Sequence, residues 1–214
     1  MTNTSKLAII GLGNIGQAIV KDLTKSNTDF VIGIRDKEKI KDISEQWNTE
    51  VTDIPTAIKS ANIIILSIPF ENIVGFIKEY STDLEGKIIV DPSNAILPDG
   101  NGGFKKTIGE NESAGEINSK FLPKNAKLVK ALGTLSAGSL SEAAYKTPEK
   151  AVLFYASDQI DTDSEIENLI HNLGFNALKI GGINQSIRIE VFGDLHEFGG
   201  LGKTVTLKEA KQNI

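Results

Sequence analysis

Apolar residues in this chain come in two rhythms that take turns from the N-terminus onward. Lys6-Leu7-Ala8-Ile9-Ile10 is a short, nearly unbroken apolar run, and Ile15, Ala18, Ile19 and Leu23 follow at spacings of three and four. The run suits a strand covered on both faces, and the spacing marks one face of a helix. Asp29-Phe30-Val31-Ile32-Gly33-Ile34 then predicts a second strand, and Ile40, Ile43 and Trp47 an amphipathic helix lying on the sheet. Pro55 opens a short helix, Asn62 to Ile68 is a central parallel strand, and Phe70, Ile73, Val74 and Ile77 form another helical stripe before the strand Lys87-Ile88-Ile89-Val90-Asp91. This βαβαβ alternation predicts a Rossmann-type, doubly wound, mostly parallel α/β sheet.

The second half continues more loosely. Ala126 to Leu132, Lys150 to Ala156 and Phe175 to Ile180 predict strands, Ser136 to Tyr145 a helix, and Ile166, Leu169, Ile170 and Leu173 a helix that ends at Gly174. Leu97 to Glu116 is rich in Gly, Asn, Asp and Glu, which predicts a mobile loop over the carboxyl ends of the strands, placed like a lid. Ile187, Ile189 and Val191 alternate like a strand, yet five glycines between Gly181 and Gly200 predict irregular structure there. With no internal repeat and no long linker, residues 1–214 are expected to form one domain: a dinucleotide-binding core over 1–135 and a smaller C-terminal α/β part, 136–214, extending the same sheet.

Chemistry is concentrated where the first strand meets its helix, at Gly11-Leu12-Gly13-Asn14-Ile15-Gly16. In a strand-to-helix turn Gly11 allows the bend, Gly13 lets backbone approach a pyrophosphate, and Gly16 lets helix and strand pack closely. Arg35 follows nineteen residues after Gly16, at the tip of the second strand. An acidic side chain at such a tip pairs with the ribose 2′-OH of NAD, whereas a guanidinium meets a 2′-phosphate through two parallel bonds, with Lys39 adding a second charge. Arg35 and Lys39 therefore predict NADP(H). Two alternatives stay open: Asp36 as a ribose carboxylate, or Arg35 to Lys39 as a solvated helix start capped by Asp36.

Ligands of open α/β sheets bind beyond the carboxyl ends of the strands. There Ser67-Ile68-Pro69 is expected to line the nicotinamide-ribose half of a dinucleotide, with a helix-opening proline as the alternative, and Ser93 and Asn94 to hydrogen-bond ribose or carboxamide, with an Asx-type turn as theirs. Gly133-Thr134-Leu135-Ser136-Ala137-Gly138 offers small residues against which a flat acceptor ring can stack, Ser136 being also a helix cap. His196 lies in Gly193-Asp194-Leu195-His196-Glu197-Phe198-Gly199-Gly200-Leu201-Gly202, where flexible glycines such as Gly200 can wrap a ligand; the alternative is an ordinary surface loop. His171, in an amphipathic helix, is expected to face solvent. No catalytic acid or base stands out, and neither does a Ser-His-Asp set, a metal-ligand cluster or a G-x-x-x-x-G-K-[ST] loop. Hydride exchange between nicotinamide and a flavin-like ring fits that scarcity, because it needs chiefly positioning.

Composition narrows the classes. Of 214 residues 40% are apolar and 24% charged, enough for one large core. The 23 Lys and Arg against 28 Asp and Glu give a net charge of −5, which disfavours nucleic acid and anionic membranes as partners. There are no cysteines, so disulfides and thiolate chemistry are excluded. The polar start Met1 to Lys6 leaves no room for a signal sequence, and the longest apolar stretch, Ile63 to Phe70, is too short to span a membrane. A soluble, cytoplasmic protein is expected.

The glycine turn, the Arg35-x-x-Glu38-Lys39 arrangement, the Ile68-Pro69 turn and Val129-Lys130-Ala131-Leu132-Gly133-Thr134, which looks like a V-K-A-x-N-T segment, together carry a family resemblance. The chain resembles, over nearly its whole length, coenzyme F420-dependent NADP oxidoreductases and the related soluble NADPH-binding domain of ferric-reductase membrane proteins. The resemblance implies NADP held by the glycine turn, Arg35 and Lys39, with Ala131 in the cofactor site. It implies a deazaflavin or flavin ring stacked on the nicotinamide near the strand tips, where F420 or a flavin is the co-substrate, and a homodimer, common in such families. Ile34 and Gly133 depart from the family's usual Ser or Thr and its Asn.

Overall fold

The computed structural model describes residues 6–214, so the polar start Met1 to Ser5, from which no signal sequence is expected, lies outside the described residues. Its first half alternates as the sequence predicts: β1 (Leu7–Ile10), α1 (Asn14–Lys25), β2 (Phe30–Ile34), α2 (Ile40–Trp47), β3 (Glu50–Asp53), α3 (Ile54–Ser60), β4 (Ile63–Leu66), α4 (Phe70–Glu79) and β5 (Ile88–Asp91). Then come a hairpin of β6 (Ile96–Pro98) and β7 (Phe104–Lys106), α5 (Ala114–Ser119), β8 (Lys127–Ala131), α6 (Ala137–Ala143), β9 (Val152–Ala156), α7 (Asp163–Asn172), β10 (Asn176–Lys179) and α8 (Leu207–Ala210).

Eight strands form one sheet in the order β10-β9-β8-β5-β4-β1-β2-β3, and every neighbouring pair is parallel except β8 with β9. The order reverses beside β1, so the carboxyl ends of β1 and β4 flank the crevice that doubly wound sheets present to ligands. The unbroken apolar runs have a simple cause. In β1, Leu7 and Ile9 pack on one face with α1, α6 and α7, while Ala8 and Ile10 pack on the other with α3 and α4. Both faces of β1 are covered, so all four of its positions are apolar. A third, smaller core joins β9 to the C-terminal segment through Phe154, Ile189, Leu195 and Val205.

Two regions differ from the sequence expectation. Leu97 to Glu116 is not a structureless loop: it carries the antiparallel β6–β7 hairpin and the start of α5, and Asp99 accepts from the backbone of Asn101 and Gly103 at 2.7 and 2.9 Å to close the hairpin turn. From Ile183 to Ile189 the chain forms a 3-10 helix, where the sequence predicts irregular structure. Ile183 and Ile189 belong to two different cores, while Ile187 is only half-buried. Among the described residues no helix is long and apolar enough to cross a membrane, and no cluster of His, Asp or Glu is arranged to hold a metal ion.

Candidate functional site

The glycine turn takes its shape from three different constraints. Gly11 has φ +96°, and a Cβ there would stand 2.4 Å from the Ser67 carbonyl oxygen; one at Gly16 would stand 2.3 Å from the Gly11 carbonyl oxygen. Neither position accepts a side chain without moving backbone. A Cβ at Gly13 would meet nothing within 4 Å. The fold therefore needs the first and last glycines, while the middle one opens a space at the N-terminus of α1. No side chain caps that terminus and no acidic residue occupies its first turn. Its free N–H groups and the positive end of the helix dipole face the opening, an arrangement that suits an anion.

Two clefts meet at this turn and share Ile68 and Pro69. The larger, about 480 Å³, runs over the tip of β2 and is lined by Gly11, Leu12, Arg35 and Lys39 on one side and by α4, including Asn72, Phe76 and Tyr80, on the other. Arg35 is exposed and has no ion-pair partner among the described residues. Lys39 is paired with Asp36 at 3.3 Å, and Asp36 also caps the 3-10 turn Lys37–Lys39 by accepting from the Glu38 N–H at 3.2 Å. Asp36 thus takes the capping role that the sequence offered as one alternative. Burial and the neighbouring Glu79 push the Tyr80 phenol up, against the pull of Arg35, which places Tyr80 in electrostatic reach of that guanidinium.

The smaller cleft, about 270 Å³, lies across the tips of β4 and β5 and is lined by Gly13, Asn14, Ile15, Ser67 to Phe70 and Pro92 to Asn94. Ser93 is 7% exposed, and its hydroxyl is buried with no hydrogen-bond partner among the described residues. Asn94 lines the same cleft, and its amide is bonded within the protein. Its Nδ2 donates to the Gly133 carbonyl at 3.0 Å and its Oδ1 accepts from the Val191 N–H at 2.7 Å, so the amide spans three segments of the protein.

Ala131, expected in the cofactor site, and most residues expected at the acceptor side are buried. Ala131 ends β8, Leu132 follows in the left-handed region at φ +65°, and Gly133 packs so closely that a Cβ would stand 2.3 Å from the Pro92 carbonyl oxygen. Thr134 and Leu135 are buried, and the Thr134 hydroxyl also lacks a partner. His196 departs furthest from the sequence picture. It is 1% exposed; its Nδ1 accepts from the Phe198 N–H at 2.9 Å, which leaves Nε2 to donate to the Gly133 carbonyl at 3.0 Å. Burial pushes this imidazole below the ordinary histidine value. Gly200 is exposed and donates its N–H to the Gly193 carbonyl. The glycines around His196 serve close backbone packing, since a Cβ at Gly199 would stand 1.9 Å from the Gly193 carbonyl oxygen. His171 is exposed, as its helix position predicts.

The sequence did not single out the α4 wall of the larger cleft or a buried charge cluster beneath the smaller one. Phe76 and Tyr80 are four apart and their rings pack at 4.7 Å, a helical spacing that was visible but carried no chemical signal. In the cluster, Lys130 lies 3.2 Å from Asp91 and 3.9 Å from Glu190, all three nearly inaccessible to solvent.

Fold and clefts define a Rossmann-type α/β protein with a glycine-turn crevice at the point where the strand order reverses. Residues 6–95 match the model of the family described as NADP oxidoreductase, coenzyme F420-dependent. The resemblance read from the sequence is thereby shown over that segment. An F420-dependent NADP reductase of Methanocaldococcus jannaschii is 35% identical over 97 residues, 40% of this chain and 43% of that protein. The chain spans less than half the length of the curated relatives it matches. Among solved structures, a hypothetical protein of Sinorhizobium meliloti superposes with a TM-score of 0.81 at 26% identity, over 94% of this chain and 95% of that one. A pyrroline-5-carboxylate reductase of Coxiella burnetii shares the fold at TM-score 0.65 and 16% identity, over 90% of this chain and 65% of that one.

Proposed function

We propose that this protein is an NADP(H)-dependent oxidoreductase that exchanges hydride with a flavin or deazaflavin-type acceptor. The observation that carries the reading is the Arg35 guanidinium, without an ion-pair partner among the described residues, on the wall of a cleft that begins at Gly11 and Leu12 of the glycine turn. In this reading the free N–H groups of α1 hold the pyrophosphate, Arg35 meets the 2′-phosphate in bidentate fashion with Lys39 beside it, and Ser67, Ile68, Pro69 and Ser93 line the nicotinamide half. The bound nicotinamide supplies or accepts the hydride; the chain's own part is to hold the ring and exclude water.

An exposed aromatic pair outside the two clefts supports a planar acceptor in this reading. Phe104 and Phe198 are exposed, with ring centroids 6.2 Å apart, and Phe198 is tied through His196 to the Gly133 carbonyl beside the smaller cleft. Reduction of an imine or carbonyl needs a proton donor in the site. The histidine nominated by the sequence is buried, with both ring nitrogens committed to backbone, and so gives that second reading no support. The test is NADPH oxidation by the purified protein with FMN, FAD, F420 or a cyclic imine as acceptor. Turnover with one of the ring systems alone is expected. Turnover with the imine and no flavin contradicts the acceptor clause, and binding without any turnover makes the protein a nucleotide sensor.

A further inference from the structure

The buried charges beneath the smaller cleft converge on one residue. Asp91 Oδ1 accepts from the Ser93 N–H at 2.7 Å, and the Lys130 ammonium donates to the Ser93 carbonyl. Both backbone polar groups of Ser93 are thus bonded to buried, ion-paired side chains. Asp91 Oδ2 accepts from Asn118 Nδ2 at 2.9 Å, and Glu190 accepts the first N–H groups of α5, from Ala114 and Gly115, at 2.8 and 2.9 Å. The cluster so ties β5, β8, α5 and the C-terminal segment together around the turn that borders the cleft. Ion pairs removed from water are seldom a net gain in stability over apolar packing of the same volume, so their position asks for another reason. That position is the backbone of Ser93, a residue that lines the cleft and whose hydroxyl is buried with no partner among the described residues. A hydroxyl left so is unfavourable unless a ligand supplies the missing bond.

We propose that Lys130 and Asp91 are positioning residues acting through Ser93: their ion pair fixes the backbone of Ser93 on both sides and presents its hydroxyl to the polar nicotinamide end of the dinucleotide. The inference rests on the NADP(H) reading given above. It assigns to Lys130 a role in binding one end of the ligand without touching it.

The test titrates the wild type, Ser93→Ala, Lys130→Met and the double variant with NADPH and with 2′,5′-ADP, which carries the phosphorylated adenosine end and no nicotinamide. Ser93→Ala is expected to weaken NADPH about three- to tenfold, the worth of one hydrogen bond, and to leave 2′,5′-ADP unchanged within about twofold. Because that hydroxyl has no partner in the protein, the variant should melt no lower than the wild type. Lys130→Met is expected to weaken NADPH selectively as well, and the double variant to bind NADPH no worse than Lys130→Met, since both changes remove the same contact. Multiplying losses in the double variant, equal weakening of both ligands, or no weakening would overturn the inference and leave the cluster as scaffolding. Should Lys130→Met fail to fold, Asp91→Asn, which keeps an oxygen for the Ser93 N–H, is read in the same way. A wild type that binds neither ligand overturns the NADP(H) reading itself, an outcome distinct from all of these.

Discussion

The two ends of the crevice are built on opposite principles. At the β2 end the functional groups are exposed charges and bare glycine backbone: Arg35 and Lys39 in solvent, Gly13 facing open space. At the β5–β8 end they are buried and bonded to one another: Lys130 with Asp91, Asn94 between Gly133 and Val191, His196 under Gly133. The first end is free to choose a ligand by charge, because changing it disturbs nothing else. The second holds geometry, because Lys130, Asp91, Asn94 and His196 each fasten two or more segments of the fold. Substitutions at the first end should therefore alter affinity and spare stability, and those of these four residues should alter stability first, the unpartnered Ser93 hydroxyl being the exception.

The sharpest way to break this contrast is at its most buried point. Lys130→Met leaves Asp91 and Glu190 without their cation and is expected to cost about 3 to 5 kcal/mol in urea unfolding, whereas a loss below about 1 kcal/mol would mean the cluster is wet and the contrast overstated. Arg35→Ala tests the other end. It should weaken NADPH by about 1.5 to 3 kcal/mol in calorimetric titration, barely change NADH, and leave the urea midpoint where it was. Equal loss for both nucleotides would remove Arg35 as the selector.

A smaller effect concerns pH. Because burial holds His196 below the ordinary histidine value of about 6.5, the unfolded chain takes up a proton in acid before the folded chain does. The contribution of His196 to stability is full above that value and is lost as pH falls below it, with a slope approaching about 1.4 kcal/mol per pH unit. His196→Gln should flatten this part of the stability profile, measured by thermal melts between about pH 7 and 5. The smallest expected change is in Gly13→Ala: its Cβ meets nothing, so stability should move by less than about 0.5 kcal/mol, while nucleotide affinity falls because the methyl group occupies the approach to the pyrophosphate.

The same contrast explains what was legible in the sequence. The β2 end is local: glycine turn, strand tip and basic residues lie within one βαβ unit, so their spacing states both fold and chemistry. The strands β1, β2, β4 and β5 are equally plain, being covered on both faces. Strand β3 is not, because Val51 is its only buried residue. The hairpin β6–β7 is hidden by its short strands, one of them ending in Pro98. The β5–β8 end is assembled from residues far apart in the chain, Lys130 meeting Ser93 and Glu190 meeting Ala114, and no spacing rule joins them. Around His196 the composition was visible but its meaning was not. Glycines there mark close backbone contact, which reads in sequence much like flexibility.

Calorimetric titration of the protein with NADPH and NADH side by side tests the central claim most directly. Tight binding of NADPH with NADH at least about tenfold weaker is the predicted result, the difference being what a paired guanidinium and phosphate supply. Equal binding of the two, or binding of neither, would contradict it.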